Sequence, residues 1–163
     1  MRRKLGLSKV AAAVDLIADR IESGSGPLLV GVWHREVIDQ LVTELQKRDI
    51  SQRVIDGRTS AAQKQSAQEL FNSKEISVLV GQIASMGVSL NLQHGGNRIL
   101  VVEEDWSPSI MDQFYARLYR MGQKDHVHVD VLVTDTKLDK AVGKISSRKR
   151  SEHGILLNQE EAA

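Results

Sequence analysis

Cysteine is absent from the 163 residues. That excludes a disulfide scaffold, a thiolate zinc site and a cysteine nucleophile, and it suits a reducing, cytoplasmic (intracellular) setting. Two prolines and 4% aromatic residues argue against low complexity and against a large aromatic core. Neither sign of charge dominates: 22 Lys and Arg stand against 21 Asp and Glu. This balance excludes a polybasic arm or an acidic solvating tail, while leaving room for a local basic groove. No targeting segment is read. Met1-Arg2-Arg3-Lys4 resembles the basic start of a signal peptide, but Lys9, Asp15, Asp19 and Arg20 interrupt the stretch after it. The longest run without charge, residues 76–97, is broken by Gln82, Ser85, Ser89, Asn91, Gln93 and several glycines. It predicts a buried strand and a polar loop, and no membrane partner is expected.

Two further absences concern chemistry. No G-x-x-x-x-G-K-S/T phosphate loop occurs, and no G-x-G-x-x-G follows a strand. The fragment Gly143-Lys144-Ile145-Ser146 lacks the upstream glycine, since Leu138 stands there. The five histidines are scattered. His126 and His128 share a strand face without a third ligand, so no metal site is expected. Glu103-Glu104-Asp105 follows a strand and reads as its solvated end.

What is present is alternation. With 41% hydrophobic and 26% charged residues, the chain has the composition of a soluble domain and the length of one. Val10, Val14, Ile17 and Ile21 follow helical spacing, with Ser8 as a candidate cap; Ser23-Gly24-Ser25-Gly26-Pro27 breaks that helix. Residues 28–33 predict a buried strand, 37–45 a helix and 53–55 a short strand. Ser60 caps a polar helix to about residue 72. Strands come next at 76–80 and 99–102, Ser107-Pro108 opens a helix, 127–133 predicts a strand and 137–145 a last helix. Such alternation implies crossover units. The expected fold class is α/β, three-layer, with a mainly parallel sheet flanked by helices on both faces. Function is expected in the loops after Trp33, Ile55, Val80 and Val102, at the carboxyl ends of the strands. Residues 1–150 form the predicted domain and 151–163 a loosely ordered tail.

The segment around Arg117 carries the chemistry. Met111, Phe114, Leu118 and Met121 are spaced as one apolar helix face. Gln113, Arg117 and Arg120 form a neighbouring polar face, and Gly122 ends the helix. Two adjacent guanidinium groups repel one another unless a multivalent anion sits between them, and arginine suits phosphate through its forked, permanently charged donors. A solvated arginine-bearing helix face has the same spacing.

Four elements together resemble a known family. Gln113-x-x-x-Arg117-x-x-Arg120-x-Gly122-Gln123 is similar to motif VI of Swi/Snf-type superfamily 2 helicases. Gly87-Val88-Ser89-Leu90-Asn91-Leu92-Gln93 resembles motif V, Asp105-Trp106-Ser107-Pro108 the D-W-N-P element, and Asp56-Gly57-Arg58-Thr59 the D-G-x-T element. Order and gaps agree across residues 8–145, and the details lean toward bacterial and phage members. Ala116, Tyr119 and Ser89 depart from the common eukaryotic pattern.

The resemblance implies a helicase C-terminal, RecA-like second lobe of an ATP-dependent DNA translocase. It makes Arg117 and Arg120 arginine fingers reaching ATP on a first lobe. Gly87, Asn91, Gln113 and Gln123 would line or order that cleft. Asp56, Gly57, Arg58, Thr59 and Trp106 would lie along DNA through sequence-independent backbone contacts. ATP with Mg²⁺ would be held mainly by the first lobe, in cis or in trans, so this chain alone is expected to be inactive. The alternative is a standalone lobe that docks on another helicase or binds DNA passively. A basic segment of Lys137, Lys140, Lys144, Arg148, Lys149 and Arg150 could follow a DNA backbone or could be a solvated helix face.

Overall fold

The computed structural model describes residues 1–86, 89–135 and the two-residue strand Glu160–Glu161. In chain order the elements are α1 (Arg2–Glu22), β1 (Leu28–Val32), α2 (Arg35–Lys47), β2 (Gln52–Ile55), α3 (Ala61–Asn72), β3 (Val78–Gln82), a 3₁₀ turn (Ile83–Ser85), β4 (Arg98–Val101), α4 (Pro108–Tyr115), β5 (His128–Val133) and β6 (Glu160–Glu161). The strands form one parallel sheet in the order β2-β3-β1-β4-β5-β6.

β1 sits at the centre, and all five of its residues are buried. Its alternation therefore separates two cores rather than core from solvent. Leu28, Val30 and Val32 face Val10, Val14 and Ile17 of α1 and Val37, Ile38, Leu41 and Leu45 of α2. Leu29 faces the opposite layer, where Phe71 of α3 and Met111 and Phe114 of α4 pack with Ile55, Leu79 and Ile99. Each fully buried side chain of this size contributes roughly 1.5–3 kcal/mol. Helices thus cover both faces, as the α/β three-layer reading requires.

Several local expectations hold. Ser60 caps α3 in a reciprocal capping box with Gln63. Pro108 opens α4. Gly24 and Gly26, both at positive φ, end the first helical unit. Others differ. α1 begins at Arg2, so Ser8 is no cap; its hydroxyl donates to the Leu5 carbonyl instead. The last predicted helix at 137–145, the Gly143 to Ser146 fragment, the basic segment and the boundary at 150 lie outside the described residues.

α4 is the larger correction. Periodicity carries the helix to Met121, but the α-helix stops at Tyr115. Beyond it the amides of Arg117 and Leu118 bond three residues back, and the Arg117 carbonyl accepts from Leu92 N–H at 3.0 Å. That carbonyl would serve Met121 N–H in an α-helix. Tertiary pairing takes it, and Met121 is left 95% exposed.

Candidate functional site

Residues 90–92 lie against α3 and meet the turns after α4. Gln68 receives the Asn91 amide on its side-chain oxygen at 2.7 Å, and Asn72 Nδ2 donates to the Asn91 carbonyl at 2.8 Å. Pinned in this way, the 90–91 segment presents acceptors to both arginines. Arg117 Nη1 approaches the Leu90 carbonyl at 3.4 Å, and Arg120 Nη1 donates to the Asn91 side-chain oxygen. Gln123 closes the same corner through its Nε2, which donates to the carbonyls of Gly96 (3.0 Å) and Leu118 (3.2 Å). Gly122, at φ +95°, allows the chain to reverse there.

The structure therefore brings Arg117, Arg120, Asn91 and Gln123 together, although not on one helix face. Arg117 is 5% exposed and turned inward. Burial, and secondarily the charge of Arg120, depresses the affinity of its guanidinium for a proton. Arg120 is exposed. The single solvated face read from the spacing is thus replaced by one sheltered and one open guanidinium. Gln113 stands apart on α4. It lines a shallow groove of about 390 Å³ with Pro108, Ser109, Asp112 and Ala116. Gly87 lies outside the described residues.

A second region gathers at the carboxyl ends of β1, β2 and β3. Asp56 is buried, at 2% exposure. Its carboxylate accepts from Arg58 N–H at 2.8 Å and Arg58 Nε at 2.9 Å, while its own amide donates to Thr59 Oγ1 at 3.0 Å. The Arg58 guanidinium holds the Asp56 carboxyl below the usual carboxylate range, and Asp56 with Asp39 raises the Arg58 value in return. Arg58 also reaches Asp39 Oδ1 at 2.9 Å. The Asp56 to Thr59 loop is a closed turn, with Gly57 and Arg58 on its exposed side.

Trp106 is 40% exposed, and the Arg2 guanidinium lies 5.4 Å from its ring centroid and 5.9 Å from that of Trp33. The acidic run beside it is not solvated as expected. Glu103 is 6% exposed and accepts the amides of Trp33 (3.0 Å) and His34 (2.8 Å) at the start of α2, with His34 Nδ1 at 2.7 Å. Asp105 is also buried and accepts the Ser107 amide at 2.7 Å. Sequence reasoning missed Glu103 because its partners lie about seventy positions away, and missed Gln82 for the same reason. Gln82 Oε1 accepts Gly57 N–H (3.2 Å) and Ser85 Oγ–H (2.9 Å), and its Nε2 donates to the Trp33 carbonyl (3.1 Å). His126 and His128 are exposed, and among the described residues no group of three or more His, Asp or Glu could hold a metal ion. Likewise among the described residues, no helix is long and apolar enough to cross a membrane.

Comparison with known proteins identifies the family and the fold. Residues 8–122 match the family model described as the helicase conserved C-terminal domain. The chain is 32% identical over 135 residues to the SWI/SNF-related matrix-associated actin-dependent regulator of chromatin subfamily A-like protein 1 of Xenopus tropicalis, covering 81% of this chain and 14% of the relative. It is 30% identical over 124 residues to the DNA repair and recombination protein RAD54B of Mus musculus, covering 75% and 14% respectively. The chain thus spans about a seventh of the length of these relatives. Its fold superimposes on the C-terminal part of the Fun30 ATPase domain with a TM-score of 0.77 at 22% identity, covering 85% of this chain and 44% of that one. These sequence relatives are eukaryotic, so the leaning toward bacterial and phage members finds no support in them. With its motif order, its parallel sheet and the match over residues 8–122, the chain belongs to the helicase conserved C-terminal domain family, in its Swi/Snf-type branch.

Proposed function

We propose that this chain is the second motor lobe of an ATP-dependent DNA helicase or translocase. It supplies Arg117 and Arg120 as arginine fingers to ATP bound on a first lobe, and it supplies phosphate-backbone contacts to DNA. The observation that carries this reading is the convergence of both guanidiniums on the pinned 90–91 segment. Motif VI and motif V, separate in the sequence, meet there. One relative is named a DNA repair and recombination protein, which is in keeping with a DNA partner.

The residues fit one part of an ATP site. Arg120 presents an open, forked donor to terminal phosphoryl oxygens. Arg117, whose charge is desolvated and opposed by Arg120, gains when an anion arrives, because that anion offsets both penalties. Asn91 orients Arg120, and Gln123 fixes the turn that carries it. Cradling of the remaining phosphates and of Mg²⁺ belongs to a first lobe, in cis or in trans. When bound, ATP supplies the phosphoanhydride bond whose hydrolysis drives opening and closing of the two lobes.

The test is a comparison of steady-state ATP hydrolysis by this chain alone and joined to a lobe carrying a phosphate loop. Hydrolysis appears only in the joined form. Normal turnover by the isolated chain would refute the division of labour.

A further inference from the structure

β2 forms one edge of the sheet: among the described residues it pairs with β3 and with no other strand. The Ser51 carbonyl, just before it, accepts Val78 N–H at 3.1 Å, and Gln52 is in register with Val78. In a parallel ladder this alternation turns the backbone groups of Arg53 and Ile55 toward β3 and those of Gln52 and Val54 outward. Two side-chain bonds agree with that direction. Arg53 Nη1 donates to the Gln52 carbonyl at 2.9 Å, and Thr59 Oγ1 donates to the Val54 carbonyl at 3.4 Å. Both outward acceptors are thus occupied, while both outward amides face away from the neighbouring strand.

Beside this edge lies a groove of about 400 Å³ between β2 and α3, with Arg53, Gln63, Ser66 and Ala67 among its walls. α3 places two small residues there, Ser66 and Ala67, and leaves the space that larger side chains would fill. Arg53 is exposed and makes no ion pair with the described residues. The carboxylate in the groove wall, Asp56, is buried and already held by Arg58. The open charge of this edge is therefore positive. A charge on an edge strand turns away strands of like charge, and a second copy paired edge to edge would bring two Arg53 side chains into one interface. A strand bearing carboxylates meets the opposite situation. Its carboxylate draws the Arg53 guanidinium off the Gln52 carbonyl, and that carbonyl is then free to accept an incoming N–H. Its own carbonyls accept the outward amides of Gln52 and Val54. Arg53 is thus a latch that an acidic strand opens.

We propose that the outer edge of β2, with the groove between β2 and α3, is a docking site for an extended acidic segment of a partner protein, which adds a strand to the sheet and pairs a carboxylate with Arg53. Alternate side chains of that segment fall on the groove side. Docking there requires neither nucleotide nor a first lobe, so it stands or falls apart from the motor reading.

The test is equilibrium binding of the full chain to short fluorescently labelled peptides of alternating Val-Glu, of alternating Val-Lys, and of Val-Glu with every amide N-methylated. The Val-Glu peptide should bind saturably and slow hydrogen exchange at the amides of Gln52 and Val54. The Val-Lys peptide should not bind. The N-methylated peptide keeps the charge but cannot donate to the Gln52 carbonyl, and should bind about tenfold more weakly. Arg53→Glu changes an exposed side chain and should leave the melting temperature unchanged. It should weaken the Val-Glu peptide by about tenfold and admit the Val-Lys peptide. No binding of the Val-Glu peptide would overturn the docking site, as would equal affinity for the Glu and Lys peptides. So would unchanged exchange at Gln52 and Val54, or wild-type affinity in Arg53→Glu or for the N-methylated peptide. A mixed-sequence DNA duplex that slows exchange at the same two amides in place of the peptide would overturn the protein partner in favour of a nucleic acid.

Discussion

Arg120 donates a hydrogen bond to the side-chain oxygen of Asn91, twenty-nine positions earlier in the chain. This contact joins the turn after α4 to the loop that α3 clasps, and it leaves Arg120 oriented but exposed. Arg117 beside it is sheltered. The pair is asymmetric, and the two members should fail differently.

Arg120→Ala in the two-lobe enzyme should lower turnover by about 10³-fold, the scale of a missing arginine finger, with nucleotide binding largely kept. Arg117→Ala should lower turnover to a comparable degree and also lower the melting temperature, because it empties a buried position. Steady-state hydrolysis, a nucleotide-binding titration and a thermal melt separate these effects. Unchanged turnover in both variants would remove the finger role.

Asn91→Ala should cost less than loss of Arg120 itself. It removes only the tether, so the guanidinium samples more rotamers before it engages. A fall in turnover of about tenfold, equivalent to roughly 1.4 kcal/mol, is expected. Asn91→Asp should be the more severe variant, since a carboxylate there holds Arg120 in an ion pair and competes with the phosphoryl group. Turnover assays on the two variants side by side give the order.

Gly6→Ala should destabilise the chain even though it improves a helix. Alanine gains about 1 kcal/mol over glycine in a helix interior. The new Cβ would stand 2.2 Å from Glu103 Oε1 and 2.8 Å from Val37 Cγ2. Overpacking of that kind costs about 1–3 kcal/mol. The carboxylate cannot swing away freely, because the Trp33 and His34 amides depend on it, and orphaning buried donors adds about 1–3 kcal/mol. A net loss of about 2 kcal/mol lowers the melting temperature by roughly 4–8 °C for a domain of this size, read by circular dichroism.

Asp56 should make stability acid-sensitive. Its carboxyl is held below the ordinary 3.8, first through its hydrogen bond with Arg58. A group whose folded value is depressed stabilises fully above its unfolded value, and that contribution disappears as pH falls through the folded one. The wild type should therefore lose this contribution below about pH 4, and Asp56→Asn should lack it at neutral pH. Urea midpoints across an acid series compare the two, and curves that stay parallel through pH 4 would contradict the assignment.

The sequence alone determined the layer architecture. Strand-like runs alternate with helical spacing, and a strand such as β1, apolar at nearly every position, has to be covered on both faces. Caps such as Ser60 with Gln63, and breakers such as Gly24 and Gly26, act within a few residues, so they are legible locally. The motif VI arginines were legible as residue types at a spacing. Whether they were open or sheltered was not. Arg117 and Arg120 have equal claim to solvent on a regular helix, and only the bond from Leu92 N–H to the Arg117 carbonyl ends that helix early and turns one of them inward. Arg58 likewise has a visible partner in Asp56, two positions away, but its second partner, Asp39, comes from α2. Glu103 is indistinguishable from a solvated carboxylate until the fold aims two amides at it. Local propensity and periodicity fix which elements form. The protonation, burial and partners of the charged groups depend on desolvation and on contacts between distant segments, and those exist only once the sheet has assembled.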